Sequence, residues 1–417
     1  MKYQIKDIKL AAQGQLRLDW AEKEMPVLRQ IGNEFAKTRP LKGVRIAACL
    51  HVTKETGVLA KMLAQGGADV ALCGSNPLST QDDVAAALAK DGIKIFAWRG
   101  ISNKDYYTCL NRCLDTKPHI TIDDGADLIS LVHSKRQDAL NGIWGGQEET
   151  TTGVIRLKAM AKEGALKYPV VAVNDTPTKH MFDNYYGTGQ STIDAIIRAT
   201  NILLAGKKVV IAGYGYCGSG AAMRARGLGA HVIVTEVDQT KALKAVMDGY
   251  YVTTMQEAAK LGDVFITATG DIDVIVKKHM QEMKDRVILA NTGHFNVEIS
   301  LPDLKSLSKA HRAINYVTEE YTLKNGRRIY LLAEGRLVNL AAGEGHPSSV
   351  MDMSFSGQAL TAAWIAKNHK KLSPGVHEVP EEIDQKVAKL KLAAMEAKID
   401  TLTPRQKKYL ASWQEGT

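Results

Sequence analysis

The sequence has only five cysteines among its 417 residues, and none of them form a CxxC pair. This odd number argues against a disulfide framework. Cys109 and Cys113 could share a helix face, but no histidine accompanies them at ligand spacing, so we expect no metal site. The N-terminus, MKYQIKDIKL, lacks the apolar core of a signal peptide. Together these absences predict a reducing, cytoplasmic environment.

Long apolar runs and long basic runs are also absent from the sequence. No uncharged apolar stretch reaches the roughly 18 residues of a membrane-spanning helix. The net charge is +9, from 54 basic and 45 acidic residues, but no basic run exceeds three residues. A nucleic-acid-binding face normally needs clustered basic residues. We therefore expect neither a membrane nor a nucleic acid as a partner.

Alternating strand and helix patterns run from residue 43 to residue 175. Apolar stretches typical of buried strands are VRIAACL, ADVALCG, IKIFAW, HITIDD and YPVVAVND. Helical periodicity lies between them near 53–64 and 83–89 and in TTTGVIRLKAMAKEG. This alternation predicts a parallel sheet with helices packed on it. The length and the composition, 45% hydrophobic and 24% charged, fit a folded protein of two or three domains.

Polar residues cluster directly after four of the predicted strands. The clusters cover residues 51–55, 75–82, 123–125 and 174–175. Each one alone is explained as well by a turn with a helix N-cap. Because ligands of parallel sheets gather at the carboxyl ends of the strands, four clusters at equivalent ends predict a shared binding crevice.

A glycine-rich motif follows a predicted helix over Ser191–Gly206. The strand VVIAG leads into Gly213, Gly215 and Gly218, and the strand HVIVTE ends at Glu236. In such a βαβ unit the glycines allow a tight turn, a close approach to a pyrophosphate and close packing of helix on strand. An acid at the position of Glu236 accepts hydrogen bonds from ribose hydroxyls and favours NAD over NADP. The alternative is a glycine-rich turn in a sheet without a cofactor.

The rest of the chain predicts more strands and then helices. The strands DVFITATG and RVILANTG continue the unit, and a hairpin turns at Asn325-Gly326. Helical patterns follow over 348–369, 381–397 and 403–413. The first returns to the opening domain, and the other two either lie on the surface or pack on a neighbouring subunit.

These patterns predict an α/β fold class, with two doubly wound parallel-sheet domains and a small helical C-terminal segment. We assign the chain to a substrate-binding domain (1–184 and 345–380), a Rossmann NAD-binding domain (185–344) and the C-terminal helical segment (381–417).

Several titratable residues are candidates for acid-base chemistry in a cleft between such domains. In a helical turn, Lys179 and Asp183 share a face. A carboxylate neighbour raises the pKa of a lysine, whereas burial or positive charge lowers it toward the range of a base. His51, His294 and His346 stand in polar, loop-like contexts, where a functional role is about as common as a structural one.

Long motifs in the same order show a resemblance to a known family. The sequence is similar to S-adenosylhomocysteine hydrolases over essentially its whole length, through GSNPLSTQDD, IDDGADL, EETTTGV, VNDTPTKHMFDNYYGTGQS, VVIAGYGYCGSG, TGHFNVEI and LLAEGRLVNLAAGEGHP. It resembles most the short archaeal and thermophilic-bacterial members. The resemblance implies a homotetramer of NAD-containing subunits.

The resemblance also implies roles for residues at the substrate. It places Lys179, Asp183 and Asn184 around the ribose 3′-hydroxyl, with Lys179 in or beside the base role. Asp124 and His51 fall where the family handles the C4′ proton and the leaving sulfur. The remaining substrate residues are Glu149 at a ribose hydroxyl, His294 and His346 near the ribose and homocysteine end, and Thr53, Glu55, Ser79 and Gln81 on the adenine side.

On the cofactor side the resemblance adds contacts to the nicotinamide half of NAD. These are Thr150, Thr151, Thr152, Asn291 and Asn339, while Asn184 and Thr269 are further expected cofactor-binding residues. The implied reaction oxidises the 3′-hydroxyl with bound NAD⁺, which makes the C4′ proton acidic, so homocysteine leaves by β-elimination. Water then adds to the enone, and the stored hydride reduces the ketone to release adenosine.

The sequence departs from the family pattern in a few places. It ends at WQEGT, without the longer tail by which many relatives reach a neighbour's cofactor, and Lys407 or Tyr409 are candidates to replace that tail. Thr188 stands where many relatives have cysteine, and Lys241 stands where many have asparagine.

Three alternatives stay open at this point. The first is a hydrolase of S-inosylhomocysteine, although Glu55 favours adenine and the adjacent Lys54 is expected to point away from it. The second is an NAD-dependent dehydrogenase with net redox turnover. The third is a cofactor-binding regulatory protein.

Overall fold

Two eight-stranded sheets organise the chain, and the computed structural model describes residues 2–414. The first sheet contains seven strands from the N-terminal part: β1 Tyr3–Gln4, β2 Arg45–Leu50, β3 Asp69–Gly74, β4 Lys94–Phe96, β5 Ile120–Asp123, β6 Gly145–Glu148 and β7 Pro169–Ala172. Neighbouring strands in this sheet are parallel, as the alternating pattern predicts. Strand β2 is buried except at Arg45, which fits a strand covered on both faces.

Helices cover both faces of the first sheet and lead out of it. They are α1 Ala11–Lys23, α2 Pro26–Thr38, α3 Lys54–Gln65, α4 Asp82–Lys90, α5 Asn103–Leu114, α6 Asp127–Ser134 and α7 Thr151–Lys162. A short turn, α8 Pro177–Lys179, then runs into a π-helix, His180–Gly187, and into α9 Thr188–Thr200. Short 3₁₀ turns lie at Ile8–Leu10, Gln137–Gly142 and Val173–Asp175.

The second sheet is parallel over six strands and ends in an antiparallel hairpin. Its strands are β8 Lys208–Ala212, β9 His231–Thr235, β10 Tyr251–Val252, β11 Val264–Thr267, β12 Val287–Asn291, β13 Ser308–Ala313, β14 Thr318–Leu323 and β15 Arg328–Leu332, in the order β10-β9-β8-β11-β12-β15-β14-β13. The predicted turn at Asn325-Gly326 joins β14 to β15, with Gly326 at φ +90°. Its helices are α10 Tyr216–Gly227, α11 Gln239–Met247, α12 Met255–Leu261, α13 Lys277–Glu282, α14 Leu301–Leu307 and α15 Val338–Ala341, and a 3₁₀ turn lies at Ala333–Gly335.

The chain then returns to the first sheet. Helix α16, Ser348–Asn368, packs Phe355 and Ile365 into the same apolar core as Ile46 of β2. A 3₁₀ turn, His369–Lys371, leads to β16 Gly375–His377, which pairs with β7 and completes the order β1-β4-β3-β2-β5-β6-β7-β16. Helices α17 Glu381–Ala394 and α18 Pro404–Leu410 follow. Helix α16 and strand β16 therefore lie against the first sheet, although they follow the second sheet in the chain.

One predicted helix is shorter in the structure. The pattern over Ser191–Gly206 predicts a helix to Gly206, but α9 begins at Thr188 and ends at Thr200. Asn201 adopts a left-handed conformation with φ 49°, and its N–H donates to the carbonyl of Ile197, which ends the helix. Among residues 2–414, no helix is both long enough and apolar enough to cross a bilayer.

Candidate active site

A cavity of about 1200 Å³ lies where the carboxyl ends of both sheets meet. The first sheet contributes residues just after β2, β5, β6 and β7, namely His51, Asp124, Glu149 and Asn174. The second contributes residues just after β8, β9, β11 and β12, namely Gly213, Glu236, Thr269 and Thr292. Three of the four predicted strand-end clusters therefore contribute to the cavity, which spans both sheets, whereas residues 75–82 after β3 do not line it.

Lys179 occupies the centre of a buried polar cluster in this cavity. Its Nζ lies 2.8 Å from Asn184 Oδ1, 3.3 Å from Glu149 Oε1 and 3.5 Å from Asp183 Oδ2. Asn174 Oδ1 is 3.4 Å away on another side. All of these side chains are buried, so the ammonium group is held almost entirely by protein oxygens.

The local fold brings these residues together across a change in helix type. Lys179 ends α8, and the π-helix that follows carries Asp183 and Asn184 four and five residues later. A π-helix is wider than an α-helix and is frequently found at functional sites. Both side chains contact the lysine, Asp183 on the predicted shared face and Asn184 one residue further along the π-helix.

The cluster shifts the pKa values of its members in opposite directions. Burial alone would lower the pKa of Lys179, but Asp183, Glu149 and Asp124 raise it above its ordinary value. Burial would raise the pKa of Asp183, but Lys179 and His346 hold it well below its usual range. Burial raises the pKa of Glu149 to about 8, despite the nearby ammonium group. The cluster therefore pairs the Lys179 ammonium group with Asp183, beside a buried Glu149 carboxyl group whose pKa is raised.

Asp124 lies between two histidines that also line the cavity. Its Oδ2 is 3.4 Å from His51 Nε2 and its Oδ1 is 3.5 Å from His294 Nδ1. Burial raises the pKa of Asp124, while burial and His346 lower that of His51 to about 3. Burial also lowers the pKa of His294. The three ligand atoms lie within 4.8 Å of one another, a spacing that could also hold a metal ion, although the sequence pattern predicts none.

His346 connects the lysine cluster to the second sheet. Its Nδ1 lies 3.0 Å from Asp183 Oδ1, and its Nε2 lies 3.3 Å from both Thr188 Oγ1 and Asn339 Nδ2. Ser354 of α16 donates to Asp183 Oδ2 at 2.8 Å. Asp183 is thus fixed from three sides.

The glycine turn has the features that a dinucleotide needs. Gly213 has φ +94°, and a Cβ on Gly218 would lie 1.9 Å from the Gly213 carbonyl oxygen, so both positions require glycine. A Cβ on Gly215 would meet nothing within 4 Å, so this position faces open space. Gly215 is the N-cap of α10, and no side chain caps the N–H groups of that first turn. Uncapped N–H groups at a helix N-terminus bind phosphate. Glu236 accepts hydrogen bonds from the N–H groups of Tyr214 (2.7 Å) and Val237 (2.7 Å) and also faces the cavity.

Comparison with known proteins decides the family. Residues 184–345 match the family model "S-adenosyl-L-homocysteine hydrolase, NAD binding domain", and residues 2–142 match the model "S-adenosyl-L-homocysteine hydrolase". The adenosylhomocysteinase of Aquifex aeolicus is 60% identical, with all of both chains covered. The chain belongs to the S-adenosyl-L-homocysteine hydrolase family.

Other relatives of this hydrolase family are nearly as similar. The adenosylhomocysteinase of Pyrococcus abyssi is 57% identical, over 100% of this chain and 98% of the relative. The S-inosyl-L-homocysteine hydrolase of Methanocaldococcus jannaschii is 56% identical, over all of both chains. A dipicolinate synthase structure from Bacillus halodurans has a TM-score of 0.49 at 14% identity, covering 78% of this chain and 99% of that one, and so weak a likeness says nothing about function.

NAD is the cofactor of this family, and most residues expected around it line the cavity. Thr150, Thr151, Thr152, Asn184, Gly213, Gly215, Glu236, Thr269 and Asn339 all do. Asn339 Oδ1 is buried there and has no hydrogen-bond partner among residues 2–414, so it can still accept a bond from a bound group. These observations show that the residues fit the cofactor.

Two expected cofactor residues do not line the cavity. Asn291 is fully buried, and its Nδ2 donates to three backbone carbonyls while its Oδ1 accepts from Thr267 and from the Gly293 N–H. Its amide is therefore occupied in holding the loop after β12. Gly218 instead lies against the Gly213 carbonyl group, so it allows α10 to pack closely on the turn after β8. Close packing of helix on strand is the role predicted for the third glycine of the motif.

Two of the four residues expected on the adenine side line the cavity. Thr53 and Glu55 line the cavity, whereas Ser79 and Gln81 do not. Ser79 Oγ instead lies 2.8 Å from His51 Nδ1, and Gln81 Oε1 accepts from the Lys54 N–H at the start of α3.

The expectation that Lys54 points away from Glu55 is wrong. Lys54 Nζ lies 3.2 Å from Glu55 Oε1 and 3.3 Å from Glu344 Oε2. Both carboxylates attract the ammonium group, so the flexible lysine side chain folds back along the first turn of α3.

Several residues of α16 that build the site were not predicted from the sequence. Ser348 donates to Glu55, Ser354 donates to Asp183, and Gln358 donates to Glu149. The sequence does contain a signal for them, because these three polar residues lie in a mostly apolar helical stretch. Such a helix is expected to be buried, so its polar side chains need polar partners. Asn174 belonged to a predicted strand-end cluster but was given no role.

Proposed function

We propose that this chain catalyses the reversible hydrolysis of S-adenosyl-L-homocysteine to adenosine and L-homocysteine with tightly bound NAD. The observation that carries the proposal is the position of Lys179. Its ammonium group lies among buried carboxyl groups in the same cavity that the glycine turn opens. A ribose hydroxyl between them would contact both an acid-base cluster and a redox cofactor.

Bound NAD⁺ would accept hydrogen from the ribose 3′-carbon and return it at the end of the cycle. Lys179, Asp183, Asn184 and Glu149 would hold the ribose hydroxyls. Lys179 carries its proton in the resting cluster, so its ammonium group would bind the 3′-oxygen. We propose that Lys179 releases this proton to solvent and then receives the hydroxyl proton, while the ionised Asp183 beside it stays unprotonated and holds the lysine in place. Thr53, Glu55 and His346 would bind the remaining parts of the nucleoside.

Oxidation at the 3′-carbon makes the C4′ proton acidic, so a base is then needed, and Asp124 with His51 and His294 is our candidate for it. We propose that this group removes the C4′ proton and delivers a proton to the departing homocysteine sulfur. Water then adds to the double bond in place of the thiol. Burial of the cluster keeps other water from the reactive ketone.

The domain limits, assembly and location belong to the same proposal. We propose a substrate-binding domain from 1–184 and 345–380, an NAD-binding domain from 185–344 and a helical segment from 381–417. The two sheets and the return of α16 to the first sheet support this division. We further propose a cytoplasmic homotetramer that acts in the methylation cycle.

Because one relative is an S-inosyl-L-homocysteine hydrolase, S-inosyl-L-homocysteine is a second candidate substrate. The purified enzyme tests both, together with a dehydrogenase that releases NADH. Homocysteine thiol is measured during turnover of each nucleoside, while absorbance near 340 nm reports reduced cofactor. Thiol release without accumulation of free NADH supports the proposal. Net NADH release with no thiol would overturn it.

A further inference from the structure

A second pair of acidic residues lies directly behind the carboxyl groups of the site. Asp123 and Glu148 are the last residues of β5 and β6, and they are paired in register across these parallel strands. The residues that follow them, Asp124 and Glu149, line the cavity. Because successive residues of a strand point to opposite sides, Asp123 and Glu148 point away from the cavity, and both are fully buried. The proposed reaction gives neither of them a role.

One oxygen of Glu148 connects two loops of the site. Its Oε1 accepts hydrogen bonds from the Gly125 N–H at 2.8 Å, from the Thr150 N–H at 2.9 Å and from the Thr150 hydroxyl at 2.8 Å. Gly125 follows Asp124, and Thr150 is the N-cap of α7 and the first of three expected cofactor residues. Glu148 Oε2 is buried and has no hydrogen-bond partner among residues 2–414. The polar contacts of this side chain are therefore concentrated in one acceptor atom.

Close packing around Glu148 leaves these contacts little freedom. A Cβ on Gly153, in the first turn of α7, would lie 2.1 Å from Glu148 Cδ, so the helix packs directly on the carboxyl group. Gly125 has φ +104°, and a Cβ there would lie 2.1 Å from His294 Nε2. The Gly125 loop thus contacts Glu148 through its N–H and also lies against His294. A shift of this loop would move Asp124 relative to His294.

We propose that Glu148 is a positioning residue that sets the distance between the Asp124 carboxyl group and the cofactor turn at Thr150. The inference rests on the proposed function, because it takes Asp124 to act in the elimination step. Glu148 acts through the Gly125 and Thr150 backbones and not by contact with a ligand.

This role requires an acceptor oxygen but no charge on Glu148. Two buried carboxyl groups on neighbouring strands disfavour each other's ionised form, and burial disfavours it further. Burial and the neighbouring Asp123 accordingly raise the pKa of Glu148 well above its ordinary value. A neutral amide of the same shape, as in Glu148→Gln, keeps the acceptor oxygen and should preserve the contact.

The cofactor turn has other hydrogen bonds, so it does not depend on Glu148 alone. The Thr150 hydroxyl accepts from the Gly153 N–H at 3.0 Å and caps α7. Thr151 Oγ1 accepts from Asn174 Nδ2 at 3.2 Å. When the carboxyl group is removed, the loop after β5 should therefore move more than this turn.

Glu148→Ala should slow the elimination step selectively. The Gly125 N–H loses its acceptor, and Arg156, which binds the Gly125 carbonyl, has a long and partly exposed side chain that can follow a shift of the loop. A displaced Asp124 should lower the single-turnover rate of homocysteine release by about 10- to 100-fold. Reduction of bound NAD⁺ on addition of adenosine should stay close to the wild-type rate.

Three further variants separate positioning from a general loss of structure. Glu148→Gln should restore most of the rate of homocysteine release. Glu148→Asp is one methylene shorter, so it should give an intermediate rate, and it carries the same test if Glu148→Ala does not fold. Glu298→Ala is the matched control, because Glu298 Oε2 accepts from the Thr269 N–H at 2.9 Å and from its hydroxyl at 2.7 Å. That turn of the second sheet holds a cofactor residue and none of the acid-base residues, so the control should lower NAD content without slowing elimination selectively.

All variants are assayed as NAD-containing holoenzyme, with stopped-flow absorbance for the bound cofactor and a thiol assay for homocysteine. Homocysteine release that slows in Glu148→Ala while NAD⁺ reduction persists, and that returns in Glu148→Gln, supports the inference. Equal slowing of both steps, wild-type release in folded Glu148→Ala or Glu148→Asp protein, or a Glu148→Gln protein as slow as Glu148→Ala would overturn it. If the wild type releases no homocysteine from S-adenosylhomocysteine, the proposed function itself fails, and that result is distinct from any difference between the variants.

Discussion

Asp384 of α17 accepts hydrogen bonds from the backbone N–H of Thr178, at 3.0 Å, and from its hydroxyl, at 2.5 Å. Thr178 directly precedes Lys179, so a residue of the C-terminal segment fixes the turn that carries the central lysine. Asp384→Ala should leave the buried N–H unpaired, destabilising the protein by about 1–3 kcal/mol. A displaced lysine should also lower kcat by up to about 10²-fold.

Asp384→Asn is the control for this prediction, because its amide oxygen can still accept from Thr178. Its kcat and thermal midpoint should stay closer to those of the wild type than those of Asp384→Ala. Wild-type kcat in a stably folded Asp384→Ala protein would contradict the role of this contact.

The two halves of the proposed chemistry should be separable by mutation. Lys179→Ala removes the group that holds the 3′-oxygen, so bound NAD⁺ should not be reduced when adenosine is added. Asp124→Asn should still permit that reduction while slowing homocysteine release by about 10²–10⁴-fold. Stopped-flow absorbance of bound cofactor and a thiol assay measure the two steps. An Asp124→Asn protein that binds adenosine but forms no NADH would remove Asp124 from the elimination step.

Glu236 should control retention of the cofactor. Glu236→Ala removes the carboxylate at the end of β9 that receives the Tyr214 and Val237 N–H groups. The purified variant should carry less NAD per subunit than the wild type, as measured by release on denaturation. Glu236→Gln, which keeps one acceptor oxygen, should retain an intermediate amount. Release of NADP from the wild type would show that the acid does not select the cofactor.

The fold was largely predictable because its signals are local. Strands such as Arg45–Leu50 and Lys208–Ala212 are continuous apolar runs, and Gly213 with Glu236 marks a βαβ unit by spacing alone. The end of α9 was not predictable in this way. Leu203 and Leu204 continue the helical periodicity, and only the left-handed conformation of Asn201 stops the helix.

The site was predictable as a set of residues but not as a set of contacts. Strand-end position predicted that His51 and Asp124 lie together, and the family resemblance supplied Glu149. By contrast, the partners of Lys54 include Glu344, 290 residues away. Asn291 shows the converse case. Its amide could in principle bind a cofactor, but it is hydrogen-bonded to Thr267 and to nearby backbone groups. The sequence alone does not reveal these bonds.

The buried carboxyl group of Glu149 should make stability depend on pH. Burial raises its pKa from an ordinary 4.5 to about 8, so the folded protein holds a proton that the unfolded chain has lost between these values. The stabilising contribution is therefore complete below about pH 4.5 and is lost as pH rises through about 8. As pH rises from about 4.5 to about 8, the thermal midpoint of the wild type should fall relative to that of Glu149→Gln. A difference that is independent of pH would contradict the raised pKa.

The exposed apolar residues of the C-terminal segment should be covered in the proposed tetramer. Ile399 is 72% exposed, Leu410 is 68% exposed and Trp413 is 91% exposed, and no residue of α18 is buried within the subunit. Deleting residues 398–417 should therefore leave the fold of the subunit intact while weakening assembly or the retention of NAD. Sedimentation velocity and the NAD content per subunit measure the two effects. The double variant Lys407→Ala/Lys408→Ala keeps the apolar side chains, so it should assemble normally and would lose NAD only if Lys407 reaches a neighbouring cofactor. Normal assembly together with full NAD content in the truncated protein would show that this segment covers no partner.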